Sequence, residues 1–279
     1  MRGDGMARLT SYQGKTALIT GASSGMGRLL ALRLARAGAR VVLVARREPD
    51  LKELANEIER GGGQALVLPC DVGERAQVFA AAAEAQSQCG AIDILVNNAG
   101  YGHHRRFLDW DLDDMERMLR VNFLGTLYWT KALLPQMVER RSGWIVVMAS
   151  VAGKLGVPEE SAYAASKFAQ VGLAEALSYE VEDAGVHVLT VCPGTINTPF
   201  FDAEALERMP PVAKRMMIEP EQVIDAIIDA LARGTHEITV PRFIAAGYLV
   251  RVLAPGFMRR NTKRTTIGAV AKRLGQKSP

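Results

Sequence analysis

The chain has 279 residues, 48% hydrophobic and 23% charged, with 34 Lys and Arg against 30 Asp and Glu for a net charge of +4. That is ordinary globular composition and enough chain for one large α/β domain; it excludes a disordered, collagenous or disulfide-stapled protein. No stretch is long and apolar enough to span a membrane, the N-terminus lacks the apolar core of a signal peptide, and Cys70, Cys89 and Cys192 have no metal-like spacing, so a cytoplasmic protein with free thiols and no metal is expected.

Residues 1–13 read as a loose lead-in. Lys15–Thr20 is a first buried strand, and Gly21, Ser23, Ser24, Gly25, Met26 and Gly27 follow at once in a G-x-x-x-G-x-G turn. Leu29, Leu30, Leu32 and Leu34 then form a helical stripe closed near Gly38. Strand, glycine turn and helix together make a phosphate site, because glycines admit a pyrophosphate to the backbone and the helix start offers free N–H groups.

Arg40–Val44 is the second strand. At its end, where an acidic residue would bind a free ribose 2′-hydroxyl, stand Ala45, Arg46 and Arg47. Arginine there accommodates a 2′-phosphate, which favours NADP(H) and leaves NAD(H) as the alternative. Leu51–Arg60 is an amphipathic helix stopped by three glycines, and Ala65–Leu68 a third strand. Asp71 and Val72 follow it; Asp71 is placed either to accept from an adenine amino group or to cap the next helix, Arg75–Gln88. Ile92–Val96 is the fourth strand, leading into Asn97, Asn98, Ala99 and Gly100, a tight turn suited to the cofactor.

The alternation of strand and helix predicts an α/β fold: a single-domain, Rossmann-like, doubly wound parallel sheet with helices on both faces and ligands at the strand carboxyl ends. His103, His104, Arg105 and Arg106 read as a solvated loop near the pocket mouth; adjacent histidines point apart and do not chelate one metal. Leu112–Pro135 is a long helical region in which Asn122 is an unusual amide, placed to hold a water or to open the helix locally.

Ile145–Met148 and Ala149 form a buried strand ending at Ser150, and Tyr163 opens a helix with Lys167 four residues on, on one face. A fixed cation beside a phenol lowers its pKa from about 10 and makes an acid–base group usable near neutral pH. Val186–Val191 is another strand, followed by Pro193, Gly194, Ile196 and Thr198. Pro220–Arg233 is a helix and Glu237–Val240 a last strand.

On Thr20 with the glycine turn, Asn97–Gly100, Asn122, Ser150, Tyr163-x-x-x-Lys167 and Pro193-Gly194 with Thr198, residues 14–242 resemble the short-chain dehydrogenase/reductase family in its classical form. The resemblance implies that Tyr163 exchanges a proton with a carbonyl or alcohol oxygen. Lys167 would lower the tyrosine pKa and bond the nicotinamide ribose, Ser150 would hold the substrate oxygen, and Asn122 would position a water connecting Lys167 to solvent. Pro193, Gly194, Ile196 and Thr198 would cradle the nicotinamide. A homodimer or homotetramer through the helices bearing Asn122 and Tyr163 is implied as well. Met26 and Ala149 stand where the family commonly has isoleucine and serine. A catalytically silent NADP(H)-binding regulator on the same fold is the rival; an extended-type epimerase or dehydratase is disfavoured by the glycine spacing.

Residues 199–217, with Phe200, Phe201, Leu206, Met209, Met216 and Met217, resemble in length and place the family's substrate lid; their flexible apolar side chains suit an apolar small molecule or plain packing. Residues 243–279 form a basic, partly apolar extension that can lie on an anionic membrane surface, fold over the substrate pocket or pack at a subunit interface, with the end from about Asn261 mobile. No motif supports nucleic-acid binding.

Overall fold

The computed structural model describes residues 8–198, 200, 209 and 211–268. The strands are short runs of apolar, mostly β-branched residues. They are β1 (Thr16–Thr20), β2 (Arg40–Ala45), β3 (Gln64–Pro69), β4 (Ile94–Asn97), β5 (Gly143–Met148), β6 (Val186–Pro193) and β7 (Glu237–Val240). They pair in parallel throughout, in the order β3-β2-β1-β4-β5-β6-β7. The order reverses between β1 and β4, and that switch point opens a crevice at the carboxyl edge of the sheet.

Because side chains alternate along a strand, each central strand feeds two cores. Ile19, Leu43, Val96, Val146 and Leu189 point to one face, where α1 (Gly25–Arg36), α2 (Glu48–Arg60) and α8 (Pro220–Arg233) cover them. Leu18, Val42, Leu95, Ile145 and Val188 point to the other, under α3 (Arg75–Cys89), α5 (Gly125–Glu139) and α6 (Ser161–Val181). The remaining described helices are α4 (Leu112–Leu119), the short α7 (Pro211–Arg215), α9 (Ala245–Leu253) and α10 (Pro255–Thr262). No helix among the described residues is long and apolar enough to cross a membrane.

One expectation changes, and two segments gain detail. The lead-in is not loose over its described part: Leu9 and Tyr12 are buried in the core that α8 completes, and Leu9 N–H donates to the Leu231 carbonyl at 3.0 Å. The long helical region through Asn122 opens locally, as one of the two readings of that amide has it. Between α4 and α5, residues Arg120–Leu124 form a π turn, whose wider spacing displaces backbone carbonyls from the regular ladder. The C-terminal end continues as helix, with a π turn over Lys263–Gly268; residues 269–279 lie outside the description, as do 1–7.

Candidate active site

One cavity of about 650 Å³ lies along the carboxyl ends of the strands. The sequence-predicted residues Gly21, Ser23, Ser24, Gly25, Met26, Arg46, Arg47, Asp71, Val72, Asn98, Ala99, Gly100, Ser150, Tyr163, Lys167, Pro193, Gly194, Ile196 and Thr198 all line it. Gly27 and Asn122 do not, and stand behind the wall.

The β1–α1 turn is built for close approach. Gly21 has φ +67°, and a Cβ there would come within 2.8 Å of Ala99 Cα; a Cβ on Gly27 would lie 2.3 Å from the Gly21 carbonyl oxygen. Only glycine fits either position. Ser24 caps α1 without a side-chain hydrogen bond, so the first N–H groups of that helix are not taken up by its own cap. Asn98 ties the turn to β4: its Nδ2 donates to the Thr20 carbonyl at 2.9 Å, and its N–H to Thr20 Oγ1 at 2.9 Å. A glycine cradle with an open helix start fits a dinucleotide pyrophosphate.

At the end of β2, Arg47 is held by Asp50 and donates to Ser23 Oγ at 3.1 Å. Arg46 has no hydrogen bond or ion pair with another described residue, and its charge helps keep the Asp71 carboxyl ionised. Asp71 does not cap α3, whose first turn starts from Glu74. It accepts instead from Gly73 N–H at 3.0 Å and from Arg117 at 2.7 Å. Burial works against that carboxylate, but these donors and the nearby guanidiniums hold it below its ordinary range.

At the other end, Ser150 follows β5 and its Oγ accepts from Ala152 N–H at 3.1 Å. The Tyr163 hydroxyl shares a hydrogen bond with Ser150, and its ring packs against Phe200 at 5.8 Å and against Gly102, where a Cβ would come within 2.8 Å. Lys167 is only 4% exposed. Its ammonium donates to the Met148 carbonyl at 2.7 Å and to Gln170 Oε1 at 2.8 Å. Gln170, fully buried, passes the contact on: its Nε2 donates to the Asn122 carbonyl at 2.8 Å and to Thr126 Oγ1 at 2.7 Å. The Asn122 side chain faces elsewhere, bonding both backbone groups of Tyr101 and Ser166 Oγ. The Gln170 side chain therefore links the Lys167 ammonium to the backbone carbonyl of Asn122.

The electrostatics also differ from expectation. Burial pushes the Tyr163 phenol well above its ordinary range; the Glu160 charge adds to that, and the Ser150 hydrogen bond opposes it. Burial pulls the Lys167 ammonium down to about 7. The cation lies 5.6 Å from the centre of the phenol ring and spends two of its donors on carbonyl oxygens, so in the protein alone desolvation outweighs its pull on the phenol.

The two histidines of the loop turn inward, while Arg105 and Arg106 stay largely solvated. His104 Nε2 lies 3.0 Å from Glu160 Oε1, and the His103 ring packs between Tyr101 and Trp110 at 5.6 and 6.0 Å. Both histidines line the cavity. Burial pushes the Glu160 carboxyl up to about 7. Glu160 and Gln170 were missed by sequence reasoning; their signal was only their spacing, three residues before Tyr163 and three after Lys167. Leu155, Phe200, Met209, Met216 and Ile244 give the substrate end an apolar wall. Much of the expected lid, including Phe201 and Leu206, lies outside the described residues. Among the described residues no group of His, Cys, Asp and Glu is arranged to hold a metal.

A family model described as short chain dehydrogenase matches residues 15–208. Ketoacyl reductase HetN of Nostoc sp. is 36% identical over 232 residues, covering 83% of this chain and 80% of that protein. 3-Ketodihydrosphingosine reductase of Bos taurus is 34% identical over 254 residues, covering 87% and 75%. A solved metagenomic short-chain oxidoreductase in complex with NADP superimposes with a TM-score of 0.71 at 29% identity, covering 81% of this chain and 96% of that one.

The Glu160 carboxyl predicts a pH-dependent stability. Its folded pKa of about 7 lies above the ordinary 4.5, so between those values the folded state holds a proton that the unfolded state has lost. Its contribution is full below pH ~4.5 and is lost as the pH rises through ~7. Urea titrations of Glu160→Gln against the parent are expected to show that this decline has gone; an unchanged pH profile would refute the assignment.

Proposed function

The chain belongs to the short-chain dehydrogenase/reductase family, and from that membership we propose that it interconverts an apolar carbonyl compound and its alcohol with NADP(H). The observation that carries the reading is the convergence of Ser150, Tyr163 and Lys167 on one cavity whose far end is a glycine phosphate cradle. The bound cofactor supplies or accepts the hydride. In reduction Tyr163 donates the proton that the carbonyl oxygen takes as the hydride arrives at carbon, and a phenol held protonated by burial suits that direction. Ser150 directs a hydroxyl at the same oxygen. Lys167 has three donors and gives two to Met148 and Gln170, leaving the third for a ribose hydroxyl in the cavity.

The preference for NADP(H) rests on Arg46, which has no hydrogen bond or ion pair with another described residue, and on Ala45, which stands where a carboxylate would bind a free ribose 2′-hydroxyl. The apolar wall supports a greasy substrate, in keeping with the ketodihydrosphingosine named for the bovine relative. The helix carrying Tyr163 exposes Ala165, Gly172, Ala176 and Tyr179 along one face, a close-packing surface for a dimer of this chain. A silent NADP(H)-binding regulator would need neither Ser150 nor the buried lysine.

Tyr163→Phe is expected to keep NADPH affinity, read by fluorescence titration, while cutting NADPH-dependent reduction of a carbonyl panel by about a hundredfold or more; near-normal turnover would remove Tyr163 as proton donor. For Arg46→Ala the expectation is a Kd for NADPH raised about tenfold with NADH nearly unaffected, and equal losses for both would defeat the 2′-phosphate assignment. Gln170→Leu takes an acceptor from the Lys167 ammonium and so favours the neutral amine. The alkaline limb of kcat should move to lower pH by about one unit with NADPH affinity retained. An unmoved limb would show that Gln170 only fills space.

A further inference from the structure

Beyond β7 the chain runs through a 3-10 turn, Arg242–Ile244, into α9 and α10. From Ile238 to the C-terminus the sequence has no Asp or Glu and nine basic residues. The inner side of α9 is seated by specific contacts. Tyr248 Oη lies 3.2 Å from Thr239 Oγ1, Gly247 sits against Leu155, and Arg251 donates to the Lys154 carbonyl and stacks over Phe168 at 5.2 Å.

The outer side is different. Leu249, Val252 and Leu253 follow the i, i+3, i+4 spacing that puts side chains on one helical stripe, and Phe243 and Phe257 extend it at either end. These five side chains are between 58% and 80% exposed. Arg259, Arg260, Lys263 and Arg264 are exposed beside them, and among the described residues no acidic side chain pairs with any of the four. Ile244 and Thr266, from the two ends of the segment, both line the cavity, so the strip borders the cavity mouth.

We propose that this face docks on an anionic phospholipid surface, and that the cavity takes its apolar substrate from that surface. An amphipathic segment with apolar side chains on one stripe and unpaired cations beside it is the form that lies in a membrane interface. Each basic residue held near an anionic leaflet contributes roughly a fivefold factor to partitioning. A second copy of this chain is the poorer occupant, because two such faces would bring like charges together. Apolar area alone gives weak reversible binding, so the cations are needed to hold it. The docking half stands on the surface itself; the substrate half rests on the proposed reductase activity.

The test uses the full chain with NADPH and sedimentation with two kinds of vesicle, phosphatidylcholine alone and phosphatidylcholine mixed with phosphatidylglycerol. The intact protein is expected to sediment with the mixed vesicles, to stay in solution with the neutral ones, and to be released by salt. The double variant Leu249→Glu, Leu253→Glu should lose at least about tenfold in partitioning. Its NADPH affinity and its turnover of a water-soluble aldehyde should stay those of the parent. No sedimentation of the intact chain with the mixed vesicles, or equal sedimentation of the variant, overturns the proposal. So does a variant whose mass by light scattering falls while vesicle binding persists, since the strip would then join copies of the chain. Cofactor binding and soluble turnover are read without vesicles on the same preparation, so failure of the reductase reading is separable from failure of the docking.

Discussion

The amine of Lys167 lies inside the protein with two carbonyl oxygens, those of Met148 and Gln170, as its protein partners. An ammonium in such a place faces a desolvation penalty of several kcal/mol, and its charge persists only while acceptors are held against it. That requirement reaches through much of the site. Met148 ends β5, so the strand presents its last carbonyl inward. Gln170 lies one helical turn beyond Lys167 on α6, and its amide is oriented from behind by Asn122 and Thr126. The Asn122 carbonyl is free to accept because the helix opens into a π turn there. A helical defect, an amide and a strand end thus act together on one charge.

The same cavity sets titratable groups against one another. Burial keeps the Tyr163 phenol protonated and draws the Lys167 amine toward its neutral form, and Glu160 with its His104 partner adds a third proton-holding group beside the phenol. Groups whose environments push them in opposite directions are what acid–base chemistry at neutral pH needs. A lysine close to half-charged near neutrality is responsive to what else enters the cavity, in a way that a solvated lysine is not.

The sheet was legible because its strands are apolar runs of a length that only buried strands take, and because each follows a turn or cap signal. The glycine turn was legible because Gly21 and Gly27 have no room for a side chain. What escaped was polar and long-range. Gln170 looks like any solvated helix residue until the packing brings Asn122, 48 positions earlier, against it. His104 sits in a run of four polar residues that reads as loop, and only the fold places Glu160 beside it. Leu9 and Tyr12 looked like stray apolar residues in a lead-in, because their partner α8 lies more than two hundred positions away. The Tyr163–Lys167 spacing correctly put both side chains on one helical face. It carried no information about desolvation, which decides the direction of both shifts.

The cavity also has a direction. Its cofactor end is made of backbone, amides and arginines, and its other end of Leu155, Phe200, Met209, Met216 and Ile244. Ile244 is at once the last of those apolar residues and the entry to α9, where Phe243, Leu249, Val252, Leu253 and Phe257 continue the apolar surface outward. A helix that merely failed to find its core would turn this stripe inward and leave Tyr248 and Arg251 without bonds to the protein. The reverse orientation holds, with the polar contacts of Tyr248 and Arg251 seating the helix. Specific bonds therefore fix the apolar stripe facing away from the protein, beside the apolar end of the cavity that Ile244 lines.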